Sequence, residues 1–481
     1  MKKQISFLLA LLCVLPLFAC GGKTEEGQTA DDTAAVTTAA ETEPELSDDV
    51  PELDFKGAHF QFMTIKPKSV QHINMTIHEQ TGDILNDAQY NTTAEIEKRY
   101  NIIFDEDWMG DNYTVMGELL AATIAAGDDT YDAATPKERT GFAMTSGGYF
   151  MDMKEIPYFN FDKPYWFKDI NEDINFSKHI YLAYGSAVLT YYDYLHVLCF
   201  NKDMISNLKL ESPYDLVLEG TWTFDKFAEM ARTAIQDKNG DGVFGKEDVY
   251  GMVGTSRSIP GDFFATSGHK VISIDGDKIS VNLLTDPTIE EVFTKVQKVF
   301  WEPGFWYTKS TDINNYFLTD NYFQNDQALF GEHTFFTMFY LREMESDYGI
   351  IPYPKWTADQ KEYGTMIEAG GNILAIPTTT KDKNMVGAVL ETMNFLAYRD
   401  LVPAYYDNVL KGKYSRDSVS AQMLDIITNS VVYDLSNTMF CDYIVGPITQ
   451  QLFQNNRTDY VSLVTTNMPK IEKAIEDAKN S

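Results

Sequence analysis

From about Leu53 onward, hydrophobic and polar positions alternate between two periods. FKGAHFQFMTI (55–65) reads as a first strand. Residues 81–100 set Ile84, Leu85, Ala88, Ala94 and Ile96 at helical spacing, and IIFD returns to a strand. MGELLAATIAAGDD predicts a helix with a glycine stop, and YDAAT a short strand. YLHVLCFNKDM predicts a strand running into a helix start. Phe224, Phe227, Met230, Ala231, Ala234 and Ile235 share a face of a helix over 224–236, opened by Thr223. A helix over 287–300 follows, then FQNDQALFGEHTFFTMFYLREME as a strand and a helix. DYGIIPYPK is a strand stopped by two prolines, and NILAIPTTT another strand. Helix 383–397 carries Val386, Val389, Leu390, Met393 and Leu396 on one face. This alternation predicts an α/β fold with a mainly parallel sheet. The folded part carries no internal repeat and no apolar run long enough to span a membrane.

Composition narrows the partners. The 481 residues carry a net charge of −32, with 44% hydrophobic and 13% aromatic positions. Such a chain repels nucleic acid and anionic membrane surfaces. Its aromatics suit a large core or a stacking surface. MKKQ is a basic start and ISFLLALLCVLPLF an apolar run interrupted by Pro16, the form of a signal peptide over 1–19. Leu17-Phe18-Ala19-Cys20 resembles the bacterial lipobox, which implies cleavage before Cys20 and a lipid on Cys20. Loss of Lys2 and Lys3 with that segment takes the charge to −34. Residues 20–52 then form a disordered tether, since they hold almost no large apolar side chain. Cys199 and Cys441 are left to be free or bridged.

The segment DKNGDGVFGKEDVYG (237–251) carries candidate chemistry. Counted from Asp237, side-chain oxygens fall at one, three and five (Asp237, Asn239, Asp241), and Gly242 at six. The Val243 carbonyl is at seven, and Asp248 closes at twelve. This is the spacing of a calcium loop of EF-hand type, with Asp in place of the closing Glu. A strand follows instead of a second helix, so the expectation is a lone structural Ca2+ site. An Asx-rich turn is the alternative.

Several segments, in order, resemble the extracellular solute-binding proteins of ABC importers, in the maltose/oligosaccharide-binding group. They are AAGDDTYDAAT, CFNKDM, GTWTFDKFAEMA, NDQALFGE, DYGIIPYPK and NILAIPTTTKDKNMVGAVLETMNFL. The likeness runs from about Phe55 to the C-terminus. It implies a two-lobe, periplasmic-binding-protein-like α/β clamp with discontinuous lobes and a hinge. Residues 53–192 and 368–405 would form lobe 1, and 193–367 and 406–481 lobe 2. Crossings are expected near Thr190–Leu195, Thr365–Gly370 and Ala404–Asn408. The resemblance further implies a monomer on the cell surface. It would be lipid-anchored to the outer leaflet of the bacterial cytoplasmic membrane, and would deliver a carbohydrate to ABC permease subunits.

Sugar capture needs aromatic faces for the ring and charged or amide groups for the hydroxyls. Glu138 and Arg139 follow the YDAAT strand, where the family places an acid–Arg pair; a solvated KER triplet is the plain alternative. Tyr191, Tyr192, Asp193 and Tyr194 cluster at the first crossing, with hinge packing as the alternative. Trp222 precedes a helix that it could simply staple. Glu332, His333 and Phe335 follow NDQALFG, where the family places an aromatic contact and this chain has no Trp. Glu368 sits at the second crossing beside Gly370 and Gly371. Trp301, Trp306, Tyr307, Trp108 and Trp166 are weaker stacking candidates. The chain shows no HExxH, GxSxG or P-loop pattern and no singled-out acid pair, so no enzyme is expected. A same-fold binder of a peptide or polyamine, or a secreted glycosidase, are the competing readings.

Overall fold

The computed structural model describes residues 46–65, 74–109, 112–176, 178–276, 278–307, 322–407 and 417–480. The expected leader 1–19, Cys20, most of the expected 20–52 tether and Asn408 lie outside the described residues.

Two five-stranded sheets organise the chain. In chain order the strands are β1 (Ala58–Thr64), β2 (Ile102–Trp108), β3 (Ala133–Thr135), β4 (Leu182–Ala183), β5 (His196–Asn201), β6 (Tyr250–Val253), β7 (Ile272–Asp275), β8 (Lys278–Val281), β9 (Trp306–Tyr307), β10 (Ala328–Thr334), β11 (Tyr348–Ile351), β12 (Thr365–Met366), β13 (Leu374–Ala375) and β14 (Val431–Val432). The first sheet runs β2-β1-β3-β13-β4 and the second β11-β5-β10-β6-β9. Both are mixed, not mainly parallel. In the first, β1, β2 and β3 are parallel while β13 is antiparallel to β3 and β4. In the second, β5 lies antiparallel between β10 and β11. The cause is connectivity: β13 and β5 are reached by chain arriving from the other sheet, not through a local crossover helix.

Strand β1 shows why the first sheet forms. Phe60 and Phe62 lie on one face against Phe104, in a cluster with Ile96, Tyr100, Val389 and Met393. Met63 belongs to a second cluster with Met116 and Leu120. The strand is therefore covered on both sides, as parallel pairing requires. Helix Ile84–Tyr100 is started by Asp83, whose side chain accepts from the Leu85 and Asn86 amides, and ends at Asn101 in the left-handed region. Helix Lys383–Leu396 completes the cover, with Val386, Val389, Leu390, Met393 and Leu396 all buried. The second sheet packs around an aromatic core of Trp222, Phe227, Phe263, Phe300, Phe305 and Phe330.

The end of the segment expected to be a tether is part of the fold. Asp48 and Val50 are buried. Both Asp48 oxygens accept from the Arg99 guanidinium (2.6 and 3.1 Å), and Thr392 donates to Asp48 Oδ2. The segment is ordered by an ion pair together with the burial of Val50, and hydrophobic patterning does not carry the ion-pair part of that signal.

The chain leaves the first sheet after β4 and enters the second at β5; it returns after β11 through β12 to β13. The two connecting segments meet in an antiparallel bridge, Leu195 to Ile367. Beside it β12 pairs in parallel with β14. No helix of the described residues is long and apolar enough to cross a membrane. Cys199 and Cys441 are both buried and are not joined in a disulfide.

Candidate functional site

The connecting segments bring together a half-buried group from several elements. β3 ends at Thr135, and the chain turns through Lys137 into helix Glu138–Thr145. Lys137 bridges to Asn372, and the Glu138 amide donates to the Gly371 carbonyl (2.9 Å). The Lys137 ammonium lies 5.7 Å from the centre of the Tyr194 ring, and Tyr194 stacks on Phe336 at 5.9 Å and 13°. Glu368 follows the Leu195–Ile367 bridge, its amide donating to the Tyr194 carbonyl (3.3 Å). Gly370 is required there, because a Cβ would fall 1.9 Å from Tyr194 Cε1. Arg139 pairs with Asp442 at 3.4 Å, yet its Nε and Nη2 are buried without a hydrogen-bond partner among the described residues. Burial lowers the Lys137 pKa against the pull of Glu368. Two cations, a carboxylate and an aromatic pair thus share one place. Such a set can stack a ring and hydrogen-bond its hydroxyls.

Beneath it lies a more deeply buried cluster. His196, the first residue of β5, sits opposite Thr334 in β10, so Glu332 is its diagonal neighbour on the same sheet face. Helix Ile259–Ser267 brings Asp262 to the same point. His196 Nδ1 is 3.0 Å from Asp262 Oδ1 and 4.0 Å from Glu332 Oε1, while Nε2 is 3.9 Å from Glu368 Oε2. Despite the 3.0 Å approach, neither His196 nor Asp262 makes a hydrogen bond of good geometry through its side chain among the described residues. Burial raises the Glu332 pKa to about 7, helped by the Asp262 charge. Burial disfavours a charged His196, but Asp262 and Glu368 outweigh it and raise its pKa well above the ordinary value.

The expected site residues divide into three groups. Arg139, Tyr194 and Glu368 meet in the half-buried group. Glu138, Tyr192 and Asp193 lie close to it but support the fold. The Glu138 carboxylate is buried and accepts from the Tyr433 hydroxyl. Asp193 is buried and accepts from the Tyr405 hydroxyl at 2.8 Å. Tyr191 and Tyr192 pack edge to face, and Tyr192 lies against Tyr405. Trp222, His333 and Phe335 belong to the core, and this corrects their expected ligand role. Trp222 and Phe335 have no exposed surface. The Trp222 indole donates to the Pro352 carbonyl (3.0 Å), and its ring packs on Phe330. His333 is buried beside Phe323, and burial holds it neutral by lowering its pKa to about 3. An alternating strand buried on both faces explains the error: inward and outward positions of β10 are all covered.

Among the weaker candidates, Trp166 is buried and donates to Glu391 (2.8 Å), and Trp301 caps the Phe453 carbonyl. Trp306 donates to the Gly254 carbonyl, and Trp108 is half exposed at the end of β2. The Tyr307 side chain lies outside the described residues. Lys137, Phe336, His196 and Asp262 escaped sequence reading. The KER triplet held a signal for Lys137; nothing local marks Asp262.

The loop 237–248 is tightly wound. The two Asp237 oxygens accept from the Gly240 and Gly242 amides (2.7 Å each), and both glycines have positive φ. Asp241 Oδ1 accepts from Val243 N (2.7 Å), and Asp248 accepts from Lys238 N and Gly245 N. The entering helix stops at Ala234, two residues early, and Gln236 pairs with Val249 across the loop's base.

No family model matches the chain, and no curated protein matches it. Solved structures do. An ABC substrate-binding protein of Listeria monocytogenes in complex with cycloalternan is 13% identical, with 87% of this chain and 99% of that one covered and a TM-score of 0.56. A sugar transporter of Rhizobium etli in an open conformation is 13% identical over 88% and 98%, with a TM-score of 0.57. The galacto-N-biose-/lacto-N-biose I-binding protein of the ABC transporter from Bifidobacterium longum, in complex with lacto-N-biose, is 12% identical over 86% and 98%, with a TM-score of 0.54. The shared feature is the fold: a two-lobe α/β clamp of periplasmic-binding-protein type.

Proposed function

We propose that this chain is the binding subunit of an ABC importer and captures a carbohydrate, of oligosaccharide length, between its lobes. The lobes are built on the two sheets, divided near the connecting segments. The observation that carries the reading is Arg139: Nε and Nη2 are buried without a hydrogen-bond partner among the described residues, with Nη2 3.4 Å from the exposed Asp442 carboxylate, beside the Tyr194–Phe336 stack and Glu368. Hydroxyl oxygens are acceptors for those N–H groups, and the flat stack suits the C–H face of a pyranose. The resemblance of the fold to proteins named for sugars supports the same class. Lys137 and Arg139 disfavour a polyamine at this place by like charge. The chain binds without turnover, as a monomer held at the outer leaflet by a lipid on Cys20. Its closed, loaded form docks on the permease by hinge motion.

Isothermal titration against mono- and oligosaccharides, peptides and polyamines tests this. The expected result is a sugar ligand whose affinity falls tenfold or more in Arg139→Ala, since a charge-assisted hydrogen bond contributes about 1.5–3 kcal/mol. Binding of a peptide alone, or hydrolysis of the sugar, would refute the reading.

The loop 237–248 holds a structural Ca2+ through Asp237, Asn239, Asp241, the Val243 carbonyl and Asp248. Its support is the winding of the loop on Gly240 and Gly242. Each carboxylate that accepts an amide keeps lone pairs for a cation.

A further inference from the structure

The cluster under the connecting segments is built from three different elements, and its donors face one another. One ligand atom each from His196, Asp262 and Glu332 lie within 4.8 Å of one another, and all three side chains are buried. Three donors about 2.1 Å from a tetrahedral ion stand about 3.4 Å apart. The 3.0 and 4.0 Å spacings from His196 Nδ1 bracket that value.

Four facts separate this cluster from an ordinary buried ion pair. Both nitrogens of His196 and both oxygens of Asp262 are buried with no hydrogen bond of good geometry among the described residues, although Nδ1 and Oδ1 form an ion pair at 3.0 Å and the buried Tyr353 hydroxyl acts on Asp262. Unsatisfied buried polar atoms cost on the order of 1–3 kcal/mol each, so such a concentration calls for a further group. Next, Glu332 is aimed. Its Oε2 accepts from the Thr255 amide at 2.7 Å, and its Oε1, 4.0 Å from His196 Nδ1, also accepts from the Thr255 hydroxyl at 3.4 Å. The chain gives way for it at Gly254, where a Cβ would fall 2.5 Å from Glu332 Oε2. Third, His196 meets carboxylates at both ends of its ring. Asp262 and Glu332 are at Nδ1, and Glu368 is at Nε2. A metal-bound histidine is usually oriented by a carboxylate on its other nitrogen, and Glu368 stands in that position. Last comes charge. Three carboxyl groups around one imidazole would carry a net negative charge if all were ionised, even with the ring protonated, in a place where burial penalises charge. A divalent ion compensates twice the charge of one proton.

We propose that His196, Asp262 and Glu332 bind one divalent cation of the zinc or manganese class, with Glu368 positioning the histidine. One imidazole and two carboxylates suit a borderline ion better than calcium, which takes six to eight oxygens. The ion joins β5, β10 and helix Ile259–Ser267 immediately beside the Leu195–Ile367 bridge, so it fastens the second sheet at the point where the chain crosses. The site is distinct from the 237–248 loop; it shares Glu368 with the proposed sugar group, but metal stoichiometry is read without any sugar and so tests it separately.

The test uses the untagged full chain, stripped with a chelator and returned to buffer holding calcium at about 1 mM, which keeps the loop occupied and silent. Zn2+ and Mn2+ are then titrated separately, with bound metal read by elemental analysis and affinity by calorimetry. The expected result is one equivalent of either ion in the wild type and none in His196→Gln. Glu368→Gln keeps the stoichiometry and weakens binding by about 10–100-fold. This second variant decides the matter if His196→Gln does not fold, because Glu368 is partly exposed. The proposal is overturned if the wild type takes up neither ion stoichiometrically, which leaves His196 as an imidazolium between acids. It is equally overturned if Glu368→Gln binds as tightly as the wild type.

Discussion

Replacing Glu138 by Gln should remove a pH dependence from the stability of this protein. Glu138 opens helix Glu138–Thr145 and is buried, with the Tyr433 hydroxyl donating to it. Burial raises its pKa from the ordinary 4.5 to about 7, although the hydroxyls of Tyr433 and Tyr184 favour the ionised form. The folded state therefore holds the proton more tightly than the unfolded chain. Between about pH 4.5 and 7 it binds more protons, so stability falls as pH rises through that window and levels off above it. A shift from 4.5 to about 7 corresponds to about 3 kcal/mol in full, of which about 2–2.5 kcal/mol falls between pH 5 and 8. Gln resembles the protonated acid and keeps an acceptor for Tyr433. It should therefore lose ground to the wild type at pH 5 and gain on it at pH 8. Urea midpoints of both proteins at the two pH values measure the difference. A gap between wild type and variant that does not move with pH would refute the raised pKa and the buried, tyrosine-bonded placement behind it.

Trp222→Ala should destabilise the fold by about 3–5 kcal/mol in urea unfolding, the cost of a large cavity in an aromatic core; a change under about 1 kcal/mol would contradict its full burial. Asp241→Ala should abolish the rise in melting temperature on adding calcium after chelation, while solute affinity measured by calorimetry stays nearly intact. Loss of solute binding in a folded Asp241→Ala protein would show that the loop belongs to the cleft. Gly370→Ala should push Tyr194 off Phe336, since the new methyl would sit 1.9 Å from the ring. Overpacking costs about 1–3 kcal/mol, so solute affinity should drop by about tenfold, readable by calorimetry.

Much of the framework was legible because it is local. The helix over 84–100 has its cap at Asp83, its apolar face and its stop at Asn101 within one stretch, and β1 announces itself by the alternation of Phe60 and Phe62 with polar neighbours. The loop at 237–248 is likewise a matter of spacing, which one segment holds complete. Other features needed residues far apart in the chain. Asp48 reads as tether until Arg99 and Thr392 are placed against it. Trp222 and His333 read as ligand candidates because they fall in segments that resemble the family's ligand-facing ones, and only packing against Phe330 and Phe323 shows that both are core. His196, Asp262, Glu332 and Glu368 are separated by up to 172 positions, and no pattern in any one segment connects them. The sequence alone determined the alternation of strands and helices, the acidic character and the calcium-type loop, since these depend on neighbours within one or two turns of chain. Which polar groups are buried together, and therefore where an ion or a sugar could be held, was decided by tertiary structure, because burial and charge pairing act through space and not along the chain.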